Sequence, residues 1–124
     1  MNDIFFLTNK IISIIDIEKV ISSLKIIHSS SSKVAQIYYT MESYAEWAEM
    51  KLEEFDDSEN SDMLKAKGIK SILCISHHPR DISLIIPQIK SVLITYGGWI
   101  GSDSESFEPL YNIENIDQFE YFSS

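Results

Sequence analysis

The sequence predicts one α+β domain over residues 1–124, with a single, mainly antiparallel sheet and two or three helices packed on it. Three observations lead there. Apolar runs of strand length recur at Ile4–Leu7, Val34–Thr40 and Ile69–Ser76. Between them lie stretches whose apolar residues repeat at helical spacing, without a βαβ unit of fixed length or an internal repeat. The 124 residues are 44% hydrophobic, enough for a core that needs neither metal nor disulfide.

Taken in order, Ile4-Phe5-Phe6-Leu7 reads as a first strand. Ser13 or Asp16 supplies an N-cap, and Ile14, Ile17, Ile21 and Leu24 form one face of a helix expected to run to about Ile27. Ser29-Ser30-Ser31-Ser32 is a loop, and Val34 to Thr40 a second strand. The segment from Glu42 to Phe55 fits two patterns. Met41, Ala45, Ala48, Leu52 and Phe55 make a helical stripe of good helix formers, while Ala48, Met50 and Leu52 alternate with Glu49, Lys51 and Glu53 as on a half-exposed strand. Composition favours the helix. Asp56 to Asp62 is expected to be a polar loop and Met63–Lys67 a short turn ended by Gly68, leading into a central strand over Ile69–Ser76.

Beyond Pro79 an amphipathic helix carries Leu84, Ile85, Ile89, Val92, Leu93 and Tyr96. Pro87 lacks the N–H of a helix interior, so regular helix is expected from Ser83–Leu84 or with a kink at Pro87. Gly97-Gly98 stops it, since glycine accepts the left-handed geometry past a helix end. Trp99-Ile100 opens another extended segment and Ser102–Ser106 is a turn. Asn112 is placed to cap a short last helix through Phe119.

Nineteen acids against ten bases give a net charge of −9. That balance argues against nucleic-acid and anionic-membrane partners, whose phosphates are read by Lys and Arg, and fits a cationic protein partner. The acids are segregated: residues 42–62 hold nine acids and one base, and 101–124 hold six acids and no base, around a mildly basic middle. Cys74 is the single cysteine, so no intrachain disulfide forms, and its apolar surroundings in sequence read as structural. The first residues carry Asp3 where a secretion signal carries bases, and no apolar stretch has the length of a membrane span. A cytoplasmic location is expected.

The chemistry-bearing residues form no catalytic or metal signature. His77-His78 closes a strand, where neighbours point to opposite faces and cannot share one metal. One of them, oriented by Asp81 or Asp103, would be the general base of a small hydrolase or isomerase, the alternative function. Asp103 and Glu114 stand at the first and last positions of a twelve-residue stretch, as in a calcium loop. Phe107 falls at a ligand position, though, and Glu108 replaces the turn glycine. Gly97, Gly98 and Gly101 follow a helix instead of opening one, so no phosphate cradle is expected. No cofactor, metal or catalytic residue is therefore assigned. The acidic block 42–62 contains Tyr44, Trp47 and Phe55, a mixture of carboxylates and aromatics that fits an interface facing a basic partner. The plainer arrangement puts the rings in the core and the acids in water.

Tyr96-Gly97-Gly98-Trp99-Ile100-Gly101-Ser102-Asp103, followed by Phe107-Glu108-Pro109 and Tyr111-Asn112-Ile113-Glu114-Asn115-Ile116, resembles the tail of small acidic bacterial proteins. These include immunity proteins of polymorphic and contact-delivered toxin systems. The resemblance implies a compact domain without enzymatic activity that acts by binding, with Trp99 and the Gly-Gly turn in structural roles. It leaves residues 42–55 and the basic middle unexplained. The resulting expectation is a cytoplasmic immunity protein that neutralises a cognate toxin through an acidic surface. Tyr44, Glu46, Trp47, Glu49 and Glu53 form one contact patch, and Asp103, Glu105 and Glu108 a second. An acidic phage-type inhibitor imitating nucleic-acid phosphates would use the same physics on a different target. The oligomeric state is not set by any heptad seam or apolar patch in the sequence.

Overall fold

A computed structural model describes residues 2–21, 25–28, 33–55 and 58–119. Six strands, β1 (Asn2–Thr8), β2 (Lys25–His28), β3 (Val34–Tyr38), β4 (Tyr44–Met50), β5 (Ser71–His77) and β6 (Trp99–Ser102), form one sheet. Their order is β2-β3-β4-β5-β1-β6, and every neighbouring pair is antiparallel. Among the described residues three α-helices, α1 (Ile14–Val20), α2 (Ser58–Ala66) and α3 (Ile82–Tyr96), pack on this sheet in an α+β arrangement. None of the described helices is long and apolar enough to cross a membrane.

The hydrophobic pattern of the strands decides where the helices go. β1 is buried from Ile4 to Thr8 because it lies between β5 and β6 with a core on each face. On one face, Ile4, Phe6, Ile37, Ala45, Trp47, Leu73, Ile75 and Ile100 pack under α1 and α3. On the other, Phe5, Leu7 and Ile72 meet Leu64 of α2, Ile69 and Phe107. This second layer lies over β5, β1 and β6, with Met50 at the end of β4 packed against its edge. Ser106 N–H donates to Asn60 Oδ1 at 2.7 Å, joining the turn at Glu105–Phe107 to α2.

The structure moves several expected boundaries. α1 ends at Val20, where Ile21 leaves helical geometry (φ −110°, ψ 35°), and Lys25–His28 is a strand. Pairing with β3 and packing of Ile26 on the helix-side core outweigh the helical spacing, of which Leu24 lies outside the described residues. Residues 44–50 are a strand, not a helix. Ala45 and Trp47 point into the core under α1 and α3, alternate residues face the other way, and β3 and β5 satisfy the backbone on both sides. A short 3-10 turn follows at Leu52–Phe55. The polar segment expected as a loop up to Asp62 is helical from Ser58, and Met63 lies inside α2; Asp56 and Asp57 fall outside the described residues.

α3 starts at Ile82, directly after a 3-10 turn at Pro79–Asp81, and continues through Pro87. Its inner face is Ile82, Ile85, Ile86, Ile89, Val92 and Leu93, whereas Leu84 is 39% exposed and points away from the core. Gly97 ends it with φ +71°, its N–H bonded to Leu93 O at 2.8 Å. Asn112 does cap a turn, accepting the N–H groups of Glu114 and Asn115 at 2.9 and 3.3 Å. The helical piece beyond it is only the 3-10 turn Ile116–Gln118.

Candidate protein-binding face

Because α2 covers one side of the second face only, the part over β2, β3 and β4 carries no helix among the described residues. In antiparallel register Gln36 pairs with Glu46, Glu46 with Ser76, and Ser76 with Asp3. Paired residues share a face, so these side chains form one row across β3, β4, β5 and β1. Ser76 Oγ donates to Asp3 Oδ1 at 2.6 Å and fixes one carboxylate in place. Beside the row, Tyr38 and Tyr44 pair across β3 and β4 with ring centroids 5.3 Å apart, and Tyr38 donates to Gln36 Oε1 at 3.2 Å. None of these residues is fully buried, and Ile27 at the β2 end is 42% exposed.

Cys74 lies on the same face one step along β5 from Ser76, its Sγ 3.8 Å from Ser76 Oγ. Partial burial pushes the thiol up to about 11, and the fields of Asp3, Asp103 and Glu46 add to the rise. All three carboxylates thus act on one point of the sheet. Glu46, from the first acidic block, and Asp103, from the second, both lie close enough for their fields to reach Cys74. The thiol is held neutral near pH 7 and serves as a small apolar group there.

The other expected contact residues are dispersed. Trp47 is 0% exposed, in the core under the helices, and cannot touch a partner; the alternation that turns Tyr44 and Glu46 outward turns Trp47 inward. Glu49 also points to the helix side, where its Oε2 accepts the Ile14 N–H at 3.4 Å. A carboxylate placed there stabilises the start of α1. Glu53 is exposed on the 3-10 turn beyond β4. Glu108 is exposed on the loop after Phe107 and its carbonyl accepts the Ser104 hydroxyl; the Glu105 side chain lies outside the described residues. Asp3, Gln36, Tyr38 and Ser76 were not expected at the site. Alternation within each strand marks them as outward-facing, but only the β1–β5 and β3–β4 pairings place them beside Glu46.

The histidine chemistry considered from sequence meets a different environment. His77 is fully buried on the helix side of β5, its Nδ1–H donating to the His78 carbonyl at 3.1 Å. Burial lowers its pKa and favours the neutral ring, against smaller opposing contributions from the His78 carbonyl, Asp3 and Asp81. Asp81 is 3% exposed and accepts from Ser43 Oγ at 3.1 Å, with Arg80 Nε at 3.5 Å, which ties the β3–β4 loop to the start of α3. Asp103, by contrast, is exposed past the end of β6. Among the described residues no three His, Cys, Asp or Glu side chains are grouped to hold a metal.

No protein-family profile, curated protein or solved structure matches the chain.

Proposed function

We propose that this protein is a non-enzymatic binding protein of the immunity type, which neutralises a cognate bacterial toxin by covering a basic surface of it. The row Glu46–Ser76–Asp3, which runs from the helix-free part of the second face toward β1, with the field of Asp103 reaching the adjacent Cys74, carries this reading. Carboxylates on a pleated surface are spaced by the strands and need no ordering when a partner arrives. Their field raises the encounter rate, and the Tyr38–Tyr44 pair offers apolar area that slows dissociation once water is displaced. The chain's net charge of −9 acts in the same direction, so binding weakens as salt is raised.

The test is affinity capture of the tagged full chain from the lysate of its source cells at low and moderate salt, with bound proteins identified by mass spectrometry. A single stoichiometric basic protein is expected, and the double reversal Glu46→Lys with Asp103→Lys should release it. Capture undiminished by that reversal would remove the acidic face from the mechanism. Absence of any basic partner from cells shown to express the cognate toxin would overturn the binding function itself.

A further inference from the structure

A concave site lies on the same side of the sheet as the acidic row, beside α2. It is a groove of about 320 Å³ between the Leu52–Phe55 turn and the α2–β5 connection. Its floor is Leu64 and Ile69, the upper surface of the second core. The opposite wall is Phe55 and Leu52, the latter 37% exposed. Phe55 is held in place by edge-on contacts with Phe5 and Phe107, at 5.7 and 5.2 Å between centroids, so this wall belongs to the packed core.

The charges on the rim are asymmetric. Lys65 and Lys70 are exposed on the α2–β5 side, and neither is in an ion pair among the described residues. Glu53 stands on the other wall. A negative head is drawn to the lysine side and repelled from the Glu53 side, so a molecule with one anionic end is bound in one orientation. A neutral head gains nothing from either rim, and a cationic head meets two like charges against the single opposite charge of Glu53.

We propose that this groove binds a small carboxylate with an apolar body, its head between Lys65 and Lys70 and its hydrocarbon on Leu64, Ile69, Leu52 and Phe55. The cavity has the size of a small-molecule site with an apolar lining and few charged groups. This site does not depend on the toxin-binding reading, and its test contains no protein partner. The experiment is a titration of the isotope-labelled full chain by NMR with octanoate, octanol and octylamine as probes. Octanoate is expected to produce saturable shifts at the amides of Leu64, Gly68 and Ile69, with an affinity of about millimolar order for a ligand of this size. The double variant Lys65→Ala with Lys70→Ala, both positions exposed, should weaken octanoate about three- to tenfold and leave octanol unchanged. Failure of octanoate to produce saturable shifts there, equal or tighter binding of octanol or octylamine, or an unaltered affinity in the double variant would each overturn the proposal.

Discussion

Trp47→Ala separates a core role from a contact role most sharply. The indole is 0% exposed and packs among the residues under α1 and α3. A buried tryptophan removes about 150–250 Å² from water. At about 25 cal/mol per Å², and allowing for the methyl that remains, the loss is about 3–5 kcal/mol. That is a large part of the roughly 5–15 kcal/mol that holds a domain folded. Urea and thermal unfolding, followed by far-UV circular dichroism, should show the midpoint falling by roughly 10–20 °C. Glu46→Lys, at the neighbouring position and on the opposite face, should change stability by no more than about 0.5 kcal/mol. A Trp47→Ala loss under about 1 kcal/mol would refute the inward placement of the residue, and with it the register of β4.

Three further outcomes follow from the geometry. Gly98 has φ +106°, and a Cβ there would stand 2.2 Å from the Leu7 carbonyl oxygen, whereas at Gly97 (φ +71°) a Cβ meets nothing within 4 Å. Gly98→Ala should therefore cost about 3 kcal/mol or more and Gly97→Ala about 1–2 kcal/mol in thermal unfolding, and equal losses would contradict the close approach of β1 to the Gly-Gly turn. For His77, burial lowers the folded-state pKa, so the unfolded chain binds the proton first as pH falls. Its contribution is constant above the ordinary histidine value of about 6.5 and is lost progressively below it, toward the depressed folded value. The urea midpoint measured from pH 7.5 to 5.5 should drop more steeply in the native chain than in His77→Leu, and parallel profiles would place His77 in water. For Cys74, a thiol at about 11 has about a hundredfold less thiolate at pH 8 than an ordinary thiol. The greater nucleophilicity of a more basic thiolate returns part of this, so alkylation by iodoacetamide at pH 8 should run about tenfold slower than for a small free thiol. A rate equal to the free thiol's would remove the carboxylates and the burial from its surroundings.

Much of the fold was legible from local chemistry. The β-branched and aromatic runs at Ile4–Leu7 and Ser71–Ser76, the spacing from Ile85 to Leu93 and the Gly-Gly stop all act within a few residues, and each element formed where its residues favour it. The errors lay where local preference is divided. Ala, Glu and Met between 44 and 50 suit a helix, yet Trp47 and Ala45 alternate with Tyr44 and Glu46, and the open edges of β3 and β5 decide for the strand. Lys25–His28 was drawn from the helical pattern into the sheet by the same kind of pairing.

The candidate face shows the division most clearly. An acidic chain with aromatics among its carboxylates follows from composition alone, because charge count and hydrophobic fraction need no coordinates. Which carboxylates share a surface does not follow, since Asp3, Glu46 and Asp103 come from β1, β4 and the turn after β6. Only the strand order β4-β5-β1-β6 brings them together, and only the antiparallel register turns Glu46 outward and Trp47 inward. Side-chain direction alternates with period two, so a shift of one residue would exchange their roles. That register is set by long-range pairing, which no window of neighbouring residues contains.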